Sequence, residues 1–195
     1  MTLLTVWDDT NPTTPLIQTS DRALIAAELS TIGVAYSNYP VRDDVAHTAT
    51  QDEVIAAYQP LVDQLVAEHG YSLIDVAQLH TGDDPESQAV AAAARQKFLA
   101  EHTHDEEEIR FFSAGSGVFY LHVNDRVLAM LCTEGDLLSV PALTTHWFDM
   151  GTTPDFTAIR FFHEDDGWIG SFTGSDIATR FASFDELAAV AVSRV

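Results

Sequence analysis

Three histidines and a glutamate carry the chemistry most legible in this chain of 195 residues: His102, His104, Glu108 and, 38 positions later, His146. Three imidazoles and one carboxylate make a mixed nitrogen and oxygen donor set. Such a set suits a divalent transition ion such as iron(II), nickel(II) or manganese(II). Four protein donors around an octahedral ion leave two adjacent positions open, through which a substrate could chelate the metal. The spacing also has a structural reason. Side chains alternate faces along a strand, and positions 102, 104 and 108 share parity, so an uninterrupted strand from 102 to 112 turns all three inward. His146 must then arrive from a strand remote in sequence and close in space, as a β-barrel supplies. An H-x-H pair alone says little. Here it is followed by Glu108, by Gly115, and by a G-x5-P-x4-H run at Gly135, Pro141 and His146. That combination predicts one metal ion per chain.

The elements that must position these residues change character near residue 100. The first half alternates strand and helix signals: a strand at 2–7, a helix capped by Ser20 or Asp21 and running to about Thr31, and a short strand at 34–41. A helical stretch at 51–68 is interrupted at Pro60. A strand at 71–80 follows, then a helix opened by Pro85 and running through Ala100. The second half reads as short strands. IRFF (109–112) is followed by an AGSG turn, VFYLHV (118–123) by an Asn-Asp turn, and RVLAMLCT (126–133) by a turn at Gly135. Further strands are expected at 137–143, 146–151, 157–163 and 167–172, with a short helix at 184–192. Short strands with turn residues at this spacing indicate a sandwich or barrel. The expected class is mainly β with α segments, one domain over 1–195, with the α/β elements of 1–100 packed on a barrel core at 101–172.

Composition narrows the partners. The length suffices for one full core, and 46% hydrophobic residues is ordinary for a globular chain. No apolar run approaches the roughly 20 residues that span a bilayer, and the start, MTLLTVWDDT, lacks a signal-peptide pattern. One cysteine, Cys132, excludes an intramolecular disulfide and fits a reducing cytoplasm. A formal net charge of −21 argues against nucleic acid or an anionic membrane as partner, and weakly favours a monomer. Glu101, Asp105, Glu106 and Glu107 crowd the motif and are expected to be solvated. His47, His69 and His80 read as surface or structural residues; His122 and His163 have a modest claim to a place near the centre.

Residues 96–151 resemble the double-motif core of a cupin. Within the cupins the chain is similar to the acireductone dioxygenases of methionine salvage, over roughly residues 1–180. The strings HTHDEEEIRFF, AGSGVFYLH, VPALTTHWFDMG and DDGWIG carry the likeness. Gln96, Leu143 and Met150 depart from the generic cupin pattern, in places where Gly, Gly and Asn often stand, and none removes a ligand. The resemblance implies a dioxygenase acting on 1,2-dihydroxy-3-keto-5-(methylthio)pentene and dioxygen. With iron(II) it would give formate and 4-methylthio-2-oxobutanoate; with nickel(II), carbon monoxide, formate and 3-methylthiopropanoate. It also implies His102, His104, Glu108 and His146 as ligands and Arg110 as the residue that helps generate and hold the substrate dianion.

The residues agree with that role for Arg110. It has the ligands' strand parity, and an inward guanidinium is costly without an anion beside it. A structural pairing with a buried acid would satisfy it equally. Phe98, Phe112 and Phe148 could wall a pocket for a methylthio tail, with Trp168 at its mouth, although phenylalanines at such positions also serve simply as core. Two other function classes share the same ligands: a different cupin enzyme, such as an isomerase or another dioxygenase, and a metal-binding cupin without catalysis.

Overall fold

The computed structural model describes residues 1–163 and 169–193. In chain order its elements begin with β1 (Leu3–Asp8), β2 (Ile17–Thr19), α1 (Arg22–Ser30), β3 (Ala35–Asn38), α2 (Gln51–Ala57), α3 (Gln59–His69), β4 (Leu73–His80) and α4 (Pro85–Phe98). There follow β5 (His102–Thr103), β6 (Glu108–Val123), β7 (Arg126–Thr133), β8 (Asp136–Val140), β9 (His146–Asp149), β10 (Asp155–Phe162), β11 (Ser171–Phe172) and α5 (Phe184–Val192). The helices begin where local chemistry starts them. Asp21 caps α1, Thr50 and Glu53 form a capping box on α2, Asp84 precedes Pro85 at α4, and Ser183 with Glu186 caps α5. Pro60 falls in the first turn of α3, and α2 ends just before it.

All strand pairings are antiparallel, and β6 is their hinge. Its first half lies between β8 and β10, with β4 and β3 outside them. Its second half lies between β9 and β7, in a run ordered β11-β5-β9-β6-β7-β1-β2. The result is a mainly β architecture of cupin type with five helices.

Two expectations about this region are corrected. AGSG is not a turn: β6 is one strand of 16 residues that bends there as it passes from one sheet to the other. Gly115 permits the bend at φ +68°, and a Cβ on it would stand 2.0 Å from the Asp155 carbonyl oxygen. An extra residue at Ser113 makes a bulge against Thr157 and Ala158. Nor does one strand run from 102 to 112. It breaks at 104–107, so β5 pairs with β9 and β11 while Glu108 begins the other sheet. The Asn-Asp turn does form: Asn124 and Asp125 both have positive φ, 56° and 58°, as a two-residue type I′ hairpin requires.

Alternation along the strands feeds three apolar layers. Leu4, Phe112, Phe119, Leu128 and Phe148 point between the sheets. Leu3, Tyr120 and Trp147 point outward under α5 and Phe181. Phe111 and Phe161 point outward under α2 and α3. Burying each such side chain is worth about 1.5–3 kcal/mol, and a one-residue slip would move every one of them to the wrong face. Among the described residues no helix is long and apolar enough to cross a membrane.

Candidate metal centre

The register of three strands brings the candidate ligands together. His102 on β5 is directly opposite His146 on β9, and β9 also pairs with β6. His104 follows β5 in the break, and Glu108 opens β6. The ligand nitrogens of His102, His104 and His146 all lie within 4.8 Å of one another. Glu108 Oε2 is 3.0 Å from His146 Nε2 and 3.6 Å from His104 Nε2. All four side chains are buried.

Each ring is fixed from behind by the main chain. The Nδ1 atoms of His102, His104 and His146 contact the carbonyl oxygens of Ala100, Ile169 and Thr144 at 2.7, 3.0 and 2.7 Å. A carbonyl oxygen accepts only, so each Nδ1 carries its proton and each Nε2 presents a lone pair to the interior. In neutral His146 that lone pair faces a carboxylate oxygen, an arrangement that needs a proton or a cation between them.

Protonation states favour the cation. Burial pushes His102 down to about 4, against the opposing Ala100 carbonyl. Burial likewise lowers His104, against Glu108 and the Ile169 carbonyl. Burial works to raise Glu108, but Arg110 and the neighbouring histidines outweigh it and hold the carboxyl well below its usual range. Neutral imidazoles at His102 and His104 beside an ionised Glu108 are forms that bind a divalent ion, so the donor set fits one.

Arg110 is fully within this site. Its NH2 donates to Glu108. Its guanidinium carbon lies 4.9 Å and 4.5 Å from the ring centroids of Phe119 and Phe148. Its Nε is buried without a hydrogen-bond partner among the described residues. A buried donor left unmet costs about 1–3 kcal/mol, and an anion in the cavity would relieve it.

Two spaces that share Phe98, His102 and His104 adjoin the centre. The inner one, about 10 Å³, has room for one water-sized species. His102, His104, Glu108, Arg110 and His146 line it, with Phe98, Phe148, Arg160 and Phe162. The outer one, about 360 Å³, is predominantly apolar, with Phe98, Ile169, Gly170 and Phe172 beside His102 and His104. Thus Phe98 and Phe148 border the site. Phe112 does not line these spaces: it is packed deeper in the interior, against Phe148 and Phe156. Trp168 lies outside the described residues.

Sequence reading missed several contributors. Glu101, expected in solvent, is buried; it contacts His122 Nδ1 at 2.6 Å and accepts from the Thr173 hydroxyl at 2.6 Å, which braces the start of β5. Glu107 is tied to Tyr71 and Ser139. The parity of 101 with 107, opposite to the ligands, was the available signal that both face another layer. Arg160, paired with Asp75, and Phe172 had no motif to mark them, while Ile169 falls within the DDGWIG string.

The family model described as "ARD/ARD′ family" matches residues 4–170. An acireductone dioxygenase of Saccharopolyspora erythraea is 53% identical over 189 residues, covering 97% of this chain and 99% of that protein. One of Frankia alni is 54% identical over 188 residues, covering 96% and 91%. A solved acireductone dioxygenase from Bacillus anthracis, with a cadmium ion in its active centre, superposes with a TM-score of 0.73 at 23% identity, covering 88% of this chain and 98% of that one.

Proposed function

The chain belongs to the ARD/ARD′ family of acireductone dioxygenases, and on that premise we propose how its own residues run the reaction. Its function is that of a metal-dependent dioxygenase in methionine salvage. The proposed substrate is 1,2-dihydroxy-3-keto-5-(methylthio)pentene, cleaved with dioxygen. The Nε2 atoms of His102, His104 and His146 and the carboxylate of Glu108 would hold one iron(II) or nickel(II) ion per chain; both ions accept these donors, affinity order favouring nickel and availability often favouring iron. When bound, the ion would supply Lewis acidity toward the enediol, and its identity would select formate and 4-methylthio-2-oxobutanoate (iron) or carbon monoxide, formate and 3-methylthiopropanoate (nickel).

The protein does the rest. Arg110, held between two aromatic faces, sets a fixed positive charge beside the ligands and stabilises the enediol once it has lost its protons. Its unmet Nε gives it a further hydrogen bond to donate to that anion. Phe98 and Phe148, with Ile169 and Phe172 outside, exclude water and receive the methylthio tail. We place the enzyme in the cytoplasm as a monomer whose 195 residues act as one cupin unit, in keeping with its charge of −21 and single cysteine.

The convergence of three carbonyl-locked imidazoles with Glu108 and Arg110 is the observation that carries this reading. Apoprotein reconstituted separately with iron(II) and nickel(II) should consume dissolved oxygen when acireductone is added, and the two forms should release different products. No oxygen uptake with either ion would overturn the reading; identical products would overturn the metal-dependent choice.

A further inference from the structure

A second cluster of ligand-type side chains lies away from that centre. Asp155 opens β10, five residues before Arg160 at the inner cavity, which is about 16 Å along an extended strand. His80 ends β4 beside it, and His47 reaches in from the segment that precedes α2. His80 Nδ1 is 2.6 Å and His47 Nε2 is 3.4 Å from the same oxygen, Asp155 Oδ1. The two rings stand 3.7 Å apart between centroids. One ligand atom from each of the three residues fits within a 4.8 Å span. His80 is held from its other side, with Nε2 at 3.1 Å from Thr157 Oγ1 and 3.2 Å from the Gln78 amide nitrogen. That amide also donates to the His47 carbonyl at 3.4 Å. His47 and Thr157 border a polar hollow of about 240 Å³ that Asp43 and Glu134 also line.

We infer that His47, His80 and Asp155 form a second metal site, for a borderline divalent ion of the zinc class, with its remaining positions open to water. Two imidazoles and one carboxylate favour such an ion over calcium or magnesium, which take oxygen donors. Metal–nitrogen bonds of about 2.0–2.1 Å place neighbouring donors roughly 3–3.5 Å apart. The His47–Asp155 separation of 3.4 Å already matches, and His80 need open by less than an ångström. The ion would clamp the loop before α2 onto the ends of β4 and β10. This inference does not rest on the catalytic reading.

The test loads the full chain with nickel(II), dialyses it against buffered zinc(II) with excess calcium, and counts nickel plus zinc by elemental analysis. Wild type should hold about two ions per chain, and the His47→Gln and Asp155→Asn variants about one. Zinc should also raise the melting temperature of wild type and leave both variants unmoved. Both substituted side chains are more than half exposed, so the fold tolerates the changes. Equal metal on all three proteins, or loss of the extra zinc in excess calcium, would overturn the site.

Discussion

The two histidine clusters of this molecule use similar donors and differ in what holds them. In the buried centre, a main-chain carbonyl fixes each of three rings, and the side chains of His104, Glu108 and His146 are 8%, 10% and 2% exposed. In the outer cluster, His47 and Asp155 have side chains 58% and 64% exposed, and only side-chain contacts steady His80. The difference is one of preorganisation. Rings already fixed lose little freedom when an ion arrives, and burial keeps competing protons away. Exposed rings must be ordered at the moment of binding, at about 0.5–1.5 kcal/mol each. The buried centre is therefore the tight one, and it has beside it a buried cation, Arg110, through which bound metal can do chemistry.

The largest expected effect separates the clusters outright. His104→Ala removes a ring locked by the Ile169 carbonyl, and metal affinity should fall by at least about 100-fold, beyond what outer partners of a ligand usually cost. Oxygen uptake should vanish with it. His47→Gln should leave the nickel or iron content and turnover of the buried centre unchanged. Elemental analysis beside an oxygen electrode reads both, and near-stoichiometric metal in His104→Ala would erase the distinction.

Next in size is Arg110, which has no counterpart in the outer cluster. Arg110→Ala should cut turnover by about 30- to 1000-fold, or roughly 2–4 kcal/mol, while the metal stays bound. Truncation leaves Glu108 without its buried partner, so Arg110→Lys, which keeps the charge and loses the planar fork, is the control for folding. It should recover part of the rate. Wild-type turnover in folded, metal-loaded Arg110→Ala would remove the residue from the chemistry.

A third difference lies behind the ligands. Asp149 ends β9, three residues after His146, and takes both arms of Arg95 from α4 at 2.7 and 2.9 Å. Burial works to raise its carboxyl, but Arg95 and the N–H groups of Phe184 and Gly151 outweigh it and hold the value below normal. A depressed folded-state value means stability that is present above the unfolded value, about 3.9, and lost as pH falls through the folded one. Asp149→Asn should thus cost about 2–4 kcal/mol at neutral pH. The gap from wild type should close as the pH is taken well below 4. Urea unfolding of both apoproteins at the two pH values measures this, and a gap of constant size would show that the charge is not what stabilises the junction.

The same contrast explains what could be read from residues alone. The buried cluster is written in a pattern of fixed spacing because its ligands lie on or beside paired strands. The outer cluster comes from a loop, a strand end and a strand start separated by long stretches of chain, so His47 and His80 read as ordinary surface residues. The first helix was legible from its cap at Asp21, α4 from Pro85, and the hairpin at Asn124 from its Asn-Asp turn residues. The unity of β6 was not. Ala-Gly-Ser-Gly is compatible with a turn, and only the close approach of Asp155 to Gly115 shows that the chain continues. Parity argued correctly for His102, His104 and Glu108 facing one site, yet through a broken strand rather than a straight one. Phe112 shares their parity and faces the same interior, yet it lies further along the strand, packed against Phe148 and Phe156 and clear of the cavity.

The smallest expected effect concerns a residue that does not touch the ion. Leu143, where cupin motifs often carry glycine, sits at φ +64° with its side chain largely exposed. Its N–H donates to the His104 carbonyl at 2.8 Å, so its backbone helps seat a candidate ligand. The left-handed region costs a side-chain-bearing residue about 1–2 kcal/mol. Glycine would relieve this while adding about 0.5–1 kcal/mol of chain entropy to be lost on folding. Leu143→Gly should accordingly stabilise the protein by roughly 0.5 kcal/mol, the balance of those two terms, and leave metal content unchanged. Thermal unfolding of the metal-loaded protein resolves a shift of that size. If the melting temperature falls, Leu143 stabilises its loop through contacts that outweigh the backbone strain, and the departure from the motif is an adaptation of this centre rather than a tolerated cost.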